Sequence, residues 1–315
     1  VRVLVTGATG FVGTYLCSAL RDRRIGVLSL GTDPGSDYQV DVRDAEAVMA
    51  AVRDAKPAGV FHLAALAFVP VADSDPALTD AVNRGGTCNV LDAAAVVGAR
   101  TLVVSSGAVY GHVPSEALPV AESWPLAPVG AYATSKAAAE EACLERAAVQ
   151  PIVRVRPFNQ VGPGQSPLYV CSDFANQIAR CELNESEECV LAVGDLCAER
   201  DFIDVRDAVD AYIAAWERGG VGEVYNVCSG VPVAIGKILD SLLAMSPAKP
   251  SVRPRSERMR PSEVKRYYGT SERLRAKTGW SPTNSLVQTL GDLLSDWRAR
   301  VRTDGMPAST CTTDR

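Results

Sequence analysis

Residues 5–13, "VTGATGFVG", set three glycines, Gly7, Gly10 and Gly13, between an apolar run and a helical pattern. Glycine lets the backbone turn tightly where a side chain would block it. A strand that ends in such a loop and feeds a helix brings the first amide N–H groups of that helix against a pyrophosphate. Thr9, Phe11 and Val12 lie between the glycines and share the contacts such a loop makes. This strand–loop–helix context is what a glycine triplet needs before it reads as a dinucleotide site rather than a tight turn.

Outward from the loop, apolar strand patterns alternate with helical ones. "RVLVT" (2–6) leads to a helix over 11–22, and "IGVLSL" (25–30) to one over 44–54. "GVFHLA" (59–64) leads to a helix over 78–97, "TLVVSS" (101–106) through a loop to one over 131–148, and "IVRVRP" (152–157) follows. Near-continuous Val/Leu/Ile strands between helices predict the α/β class, a Rossmann-like doubly wound parallel sheet covered on both faces. Past Pro157 the texture changes, starting with the Gly/Pro loop "NQVGPGQSP". Helical and strand pieces at 172–182 and 189–193, a helix from about 207, a buried strand in "EVYNVCS" and a last helix over about 285–301 suggest a smaller α/β C-terminal substrate domain. The segment 246–270 reads as loop with a short strand. Strand 224–228 reads as part of the main sheet, so the chain should cross between domains more than once. The expected division is 1–165 with 202–232 for the dinucleotide-binding domain and 166–201 with 233–302 for the substrate domain. The polar tail, 303–315, is expected to be disordered.

A chain of 315 residues, 47% hydrophobic and 22% charged, has room for one large or two ordinary domains. Its net charge of −5 comes without a dense basic cluster, so no nucleic-acid partner is expected. No apolar run approaches the roughly 20 residues that span a bilayer, so no membrane partner is expected either. The first residues run straight into a strand pattern, so no secretory or transit peptide is expected and the location should be cytoplasmic. The nine cysteines form no C-x-x-C pair and are expected to be reduced thiols. With only His62 and His112 present, neither a zinc site nor a Ser-His-Asp hydrolase is expected.

In "GAYATSKAAAE" (130–140), Tyr132 and Lys136 stand one turn apart as a helix leaves a loop. Residues i and i+4 share a helix face. A phenol with a pKa of about 10 exchanges protons poorly at neutral pH. A neighbouring ammonium favours the phenolate and makes the tyrosine a usable general acid or base. Ser106, four residues before Tyr110, offers a hydroxyl at a strand end. Singly, these residues fit a loop aromatic, a solvated helix charge and a turn cap. Behind a glycine loop they read together as a proton-transfer site.

The glycine spacing, G-x-x-G-x-x-G, resembles that of the extended short-chain dehydrogenase/reductase superfamily, the NAD-dependent epimerase/dehydratase family. Further segments carry the likeness: the Asp41–Val42 pair, "FHLAA" (61–65), Asn83, "SSGAVYG" (105–111) and "YATSK" (132–136). The resemblance implies that Asp41 and Val42 meet an adenine and that Leu63, Ala64 and Ala65 lie beneath the cofactor. It also implies that Ser106 hydrogen-bonds the reacting substrate oxygen and that Lys136 binds the nicotinamide ribose. A homodimer through a four-helix bundle of helices 78–97 and 131–148 is expected on the same ground. The cofactor is NAD or NADP. Thr32 and Asp33 follow the second strand in "SLGTDPG", with no Arg or Lys between Arg24 and Arg43. A carboxylate there disfavours a 2′-phosphate and leans to NAD, although Asp33 fits a turn before Pro34 equally well.

Beyond residue 156, "RPFNQVGPGQSP", "RDFIDVRD", "VYNVCSG" and "RMRPSEV" resemble GDP-4-keto-6-deoxy-D-mannose reductases. The likeness implies that Asn159 and Arg200 contact a sugar-nucleotide diphosphate, that Arg260 binds phosphate and that Glu263 binds the nucleotide ribose. Arg200 also fits a surface ion pair, and Arg260 a charge in a basic loop. Three departures stand out. Asn176 replaces a lysine common in those reductases, and the end of the second strand lacks their usual arginine. Gly107 and Ala108 occupy the positions where 4,6-dehydratases of this branch carry Asp and Glu. The expected activity is therefore reduction of the 4-keto group of a nucleotide-linked 6-deoxyhexose, with the base open between GDP and dTDP. The alternatives are a nucleotide-sugar 4-epimerase that retains NAD and a catalytically idle dinucleotide-binding redox sensor.

Overall fold

A strand that is apolar on both faces has to be covered on both. The computed structural model, which describes residues 1–183, 189–258 and 264–304, meets that need with alternating strands and helices. In chain order these are β1 (Arg2–Thr6), α1 (Phe11–Asp22), β2 (Gly26–Gly31), β3 (Tyr38–Gln39), α2 (Ala45–Ala55), β4 (Gly59–His62), α3 (Val69–Ser74), α4 (Pro76–Asp80), α5 (Gly86–Val96), β5 (Arg100–Val104), α6 (Gly130–Arg146), β6 (Ile152–Pro157) and β7 (Asn159–Val161). There follow α7 (Val170–Leu183), β8 (Val190–Val193), β9 (Glu199–Asp204), α8 (Val205–Arg218), β10 (Val224–Val227), β11 (Pro232–Ala234), α9 (Ile235–Ala244), β12 (Ser251–Pro254), β13 (Arg266–Tyr267), α10 (Glu272–Thr278) and α11 (Leu286–Asp304). The main sheet has seven strands in the order β10-β6-β5-β4-β1-β2-β3. Every neighbouring pair in it is parallel. This is the doubly wound, Rossmann-like α/β architecture expected from the alternation.

The chain forms two compact units. The first comprises Val1–Gln160, Asp201–Pro232 and Arg266–Thr283. The second comprises Val161–Arg200, Val233–Lys265 and the chain from Asn284. In the first unit, Leu16 and Leu20 of α1 and Tyr212 and Ala215 of α8 pack with Val3, Val5, Phe61 and Val153 of the sheet. On the other face, Val48 and Val52 of α2 and Val90 and Ala94 of α5 cover Leu4, Leu30 and Val60. Burying such a side chain contributes about 1.5–3 kcal/mol. Arg266–Thr283 lies in the first unit, whereas the sequence assigned it to the second. Its Leu274 and Trp280 join the α1–α8 core, and its backbone pairs with Val120. In the second unit, α7, α9 and α11 pack on one another and β8 pairs with β12 in parallel. The Trp297 indole N–H donates to Ser172 Oγ at 2.8 Å, and the Arg298 fork holds both oxygens of Glu182 at 2.7 Å.

Three expectations need correction. The single helix over 78–97 is three pieces, α4, a π-turn (Ala81–Gly85) and α5. Gly86 sits where a Cβ would come within 2.7 Å of Val42 Cγ2, so glycine lets α5 press on the loop between β3 and α2. The π-turn carries Asn83 inward, and such insertions often mark functional positions. The short helices α3, α9 and α10 carried no separate signal. The cysteines are not all free: Cys181, at the end of α7, and Cys189, just before β8, form a disulfide with Cα atoms 5.7 Å apart. An eight-residue spacing does not announce this pairing. Helix α11 runs to Asp304, and most of the tail expected to be disordered, residues 305–315, lies outside the described residues. Among the described residues no helix is long and apolar enough to cross a membrane, and no group of His, Cys, Asp or Glu could hold a metal ion.

Candidate active site

The glycine loop joins β1 to α1. Gly7 has φ +68, and a Cβ on it would lie 2.9 Å from the Ala64 nitrogen. A Cβ on Gly13 would lie 2.1 Å from the Gly7 carbonyl oxygen. Both positions are closed to any side chain. Gly10 caps α1 with no side-chain bond to its N-terminal amides and no acidic residue in the first turn. Those open amides, with the positive end of the helix dipole behind them, suit a pyrophosphate. Thr9 and Gly10 are exposed, and Phe11 and Val12 half-buried. The cradle thus fits a dinucleotide in shape and in charge.

Around the cradle, the Thr9 hydroxyl donates to Asp33 Oδ2 at 2.5 Å, which ties the glycine loop to the end of β2. Thr32 and Asp33 are both exposed. Asp41 is bonded by the backbone and guanidinium of Arg43, which hold its carboxyl below the usual range. Val42 is buried against α5, and its carbonyl accepts from Asn89. Leu63, Ala64 and Ala65 are half-buried just past β4. The amides of Leu63 and Ala64 donate to Thr6 Oγ1 at 3.2 and 3.1 Å.

Under this loop a chain of hydrogen bonds runs to α6, the helix of Tyr132 and Lys136. Thr6 Oγ1 lies 2.8 Å from His62 Nδ1, and His62 Nε2 lies 3.0 Å from Thr87 Oγ1. The Thr87 hydroxyl gives its proton to the Asn83 carbonyl at 2.5 Å, so it accepts from His62 Nε2–H and Thr6 donates to Nδ1. Burial pushes the His62 pKa down to about 3, with Lys136 adding to the effect. The ring is therefore neutral and structural, and it locks β1 to α5. Asn83 exchanges bonds with the Leu66 backbone and donates to Ser135 Oγ at 2.9 Å. Ser135 in turn donates to the Tyr132 carbonyl at 2.8 Å.

Helix α6 places Tyr132 half-buried and Lys136 6% exposed. The Lys136 ammonium donates to the Val104 carbonyl at 2.8 Å, at the end of β5 and two residues before Ser106. Burial lowers its pKa to about 8, while Glu140 pulls it upward. Tyr212, fully buried on α8, has its hydroxyl pKa raised by burial, with Tyr132 adding to the shift. Ser106 caps the 3-10 turn Gly107–Tyr110, and its Oγ accepts from Ala108 N–H at 3.1 Å. A lone pair of the hydroxyl is thereby occupied and its proton remains for a further acceptor. A Cβ on Gly107 would lie 3.1 Å from the Phe158 ring, and neither Gly107 nor Ala108 offers an ionisable group beside Ser106.

Glu140 is a member of the site that the sequence reading passed over. Only 1% exposed, it accepts from Ser105 Oγ at 2.5 Å, Arg154 Nη1 at 3.1 Å, and Arg156 Nε and Nη2 at 2.8 and 2.6 Å. Arg156 also reaches Tyr110 Oη at 3.0 Å, and that hydroxyl donates to Asn226 Oδ1 at 2.7 Å. Buried charges persist where they are paired and fully hydrogen-bonded. The cluster fastens the helix of Tyr132 and Lys136 to β5, β6 and β10. Its signal was local: Glu140 follows Lys136 by one turn on the same face.

The residues assigned to substrate fall differently. Asn159 is exposed, and its Nδ2 donates to the Asp201 carbonyl at 2.8 Å. Arg200, half-buried in the second unit, donates to the Glu199 carbonyl at 2.8 Å. Asn176 accepts from Arg180. Arg260 and Glu263 lie outside the described residues.

Comparison with known proteins agrees with this geometry. Residues 3–228 match the NAD dependent epimerase/dehydratase family. GDP-6-deoxy-D-mannose reductase of Pseudomonas aeruginosa strain PAO1 is 36% identical over 305 residues, 96% of this chain and 98% of that one. The structure of RMD from Pseudomonas aeruginosa complexed with NADPH superposes with a TM-score of 0.86 at 36% identity, covering 95% of this chain and 99% of that one. The Thermus thermophilus UDP-glucose 4-epimerase complex with NAD gives a TM-score of 0.83 at 29% identity, covering 95% and 99%.

Proposed function

Since the chain belongs to the NAD-dependent epimerase/dehydratase family, we propose that it reduces the 4-keto group of a nucleotide-linked 4-keto-6-deoxyhexose at the expense of NADH or NADPH. The observation that carries the reading is that Ser106, Tyr132 and Lys136 stand behind a glycine loop while the two residues after Ser106, Gly107 and Ala108, carry no second acid. Elimination of water needs such an acid; reduction needs only one proton path. The reductase from Pseudomonas aeruginosa supports the substrate class.

When bound, the dinucleotide supplies the hydride. The glycine loop and the N-terminus of α1 would hold its pyrophosphate. Ser106, with Ala108 N–H on its oxygen, donates a hydrogen bond to the substrate carbonyl oxygen and orients it. Tyr132 delivers the proton that completes the alcohol, and the nearby Lys136 cation favours the phenolate left behind. Asp33, tethered to Thr9, would repel a 2′-phosphate, which favours NADH. Asn159 and Arg200, with Arg260 and Glu263, are assigned to the sugar nucleotide. Guanidinium forks suit phosphate oxygens, and a carboxylate accepts from ribose hydroxyls. A cytoplasmic homodimer through α4, α5 and α6 fits the exposed Leu78, Val96 and Leu144 on those helices.

Incubation of the purified protein with reduced nicotinamide and GDP-4-keto-6-deoxy-D-mannose should consume cofactor one-for-one with product. The likeness to UDP-glucose 4-epimerases favours a second reading, and the same assay separates the two. An epimerase interconverts UDP-sugars with no net change in cofactor, and that outcome would reject the reductase. An idle sensor would bind dinucleotide and turn over neither.

A further inference from the structure

We propose that Tyr267 is a positioning residue for Ser106, acting through the single peptide group between Gly107 and Ala108. The proposal rests on the role given to Ser106 above. Tyr267 Oη donates to the Gly107 carbonyl oxygen at 2.5 Å, across 160 residues of sequence. The amide of that same peptide group, Ala108 N–H, donates to Ser106 Oγ at 3.1 Å. A peptide group is planar, so fixing its carbonyl fixes the direction of its N–H. A hydrogen bond to the carbonyl also polarises the group and strengthens the N–H as a donor. The phenol thus sets both the position of the Ser106 oxygen and the direction left for its proton.

The base of this device is rigid. The Tyr267 ring stacks on Phe158 with centroids 5.6 Å apart and planes at 27°. Phe158 fills the space beside two glycines: a Cβ on Gly107 would lie 3.1 Å from its ring, and one on Gly269 would lie 2.5 Å away. The segment after Tyr267 is clamped on both sides of Gly269, by Val120 N–H to the Tyr268 carbonyl at 3.1 Å and by Thr270 N–H to the Val120 carbonyl at 3.0 Å. Buried Asp201 accepts from Ser229 and Gly230 beside it and from the Gly269 amide at 3.4 Å. Gly107, by contrast, has no side chain to anchor its own peptide. The turn is held by the bonds from Val109 N–H to the Ser106 carbonyl at 3.3 Å and from Gly111 N–H to the Ala108 carbonyl at 3.1 Å, and Tyr267 adds the grip on the Gly107 carbonyl itself.

Tyr267→Phe keeps the stacked ring and removes only the hydroxyl. Its kcat should fall by about five- to tenfold, the worth of one neutral hydrogen bond, with KM for the sugar nucleotide within about twofold. In a Ser106→Ala background the same change should have an effect of less than about twofold, because the group it positions is gone. Equal factors in both backgrounds would overturn the proposal and leave Tyr267 a packing residue. A readout independent of turnover keeps the test decisive if no substrate is reduced. Amide exchange at Ala108 in the cofactor-free protein should speed up by about tenfold or more in Tyr267→Phe, with the remaining first-unit amides unchanged. Unchanged protection at Ala108 refutes the positioning, whereas an inactive parent refutes the reductase reading alone.

Discussion

Lys136→Met should remove most of the activity and yet stabilise the fold. The side chain is 6% exposed, and burial lowers its pKa from 10.5 to about 8. A depression of that size is a penalty of about 3 kcal/mol on the charged form. The penalty is present in full below about pH 8 and lifts as the pH rises from about 8 to 10.5, because over that window the unfolded chain binds more protons than the folded one. Against it stands the bond from Nζ to the Val104 carbonyl at 2.8 Å, worth about 1 kcal/mol net. Methionine keeps most of the stem and drops the charge, so the expected gain near neutral pH is about 2 kcal/mol. In thermal unfolding followed by circular dichroism, that gain is a rise in Tm of about 3 °C. The gap between variant and parent should close as the pH approaches about 10. Meanwhile kcat should fall by about 10²–10⁴. A variant that melts below the parent at neutral pH, or a gap that does not change with pH, would show that the buried ammonium is not held at a cost in stability.

Two further expectations concern the cofactor and the thiols. Asp33→Asn should raise the ratio of kcat/KM for NADPH over NADH about fivefold, since two exposed unit charges a few ångströms apart interact by about 1 kcal/mol; an unchanged ratio would make Asp33 a turn residue only. Thiol titration of the denatured, unreduced protein should find seven free groups, the nine cysteines less the Cys181–Cys189 pair; nine would remove the disulfide.

What the sequence made legible shares one property: partners close along the chain. The glycines stand within seven residues, 7 to 13, and Tyr132 and Lys136 within one helical turn. Their spacing alone fixes what each meets. The strand alternation is equally local, which is why β1, α1 and β6 carry the expected bounds. The break at Ala81–Gly85 was hidden because the contacts that meet it, Asn83 with Leu66 and Ser135 and Gly86 with Val42, are tertiary. Tyr267 was invisible for the same reason. Nothing near residue 267 names the carbonyl it grips, and only the pairing of its segment with Val120 brings it there.

Arg154 and Arg156 mark the boundary between these cases. In "IVRVRP" they sit at i and i+2, hence on one face of a strand whose six residues are all buried. Two guanidiniums on one buried face demand a carboxylate, because unpaired they could not be carried into a core. The sequence therefore announced that an acid was needed, though not which. The candidate lay on the helix just upstream: Glu140 is an acid in an alanine-rich helix, on the face of Tyr132 and Lys136, and that face already had to meet the sheet. The pairing observed at 3.1 and 2.6 Å is the solution to that demand. Its consequence reaches the chemistry, because the same carboxylate accepts from Ser105 at 2.5 Å, one residue from the hydroxyl assigned to the substrate. The charge cluster that lets β6 be buried is thus also what fastens the helix of Tyr132 and Lys136 to the strand end of Ser106.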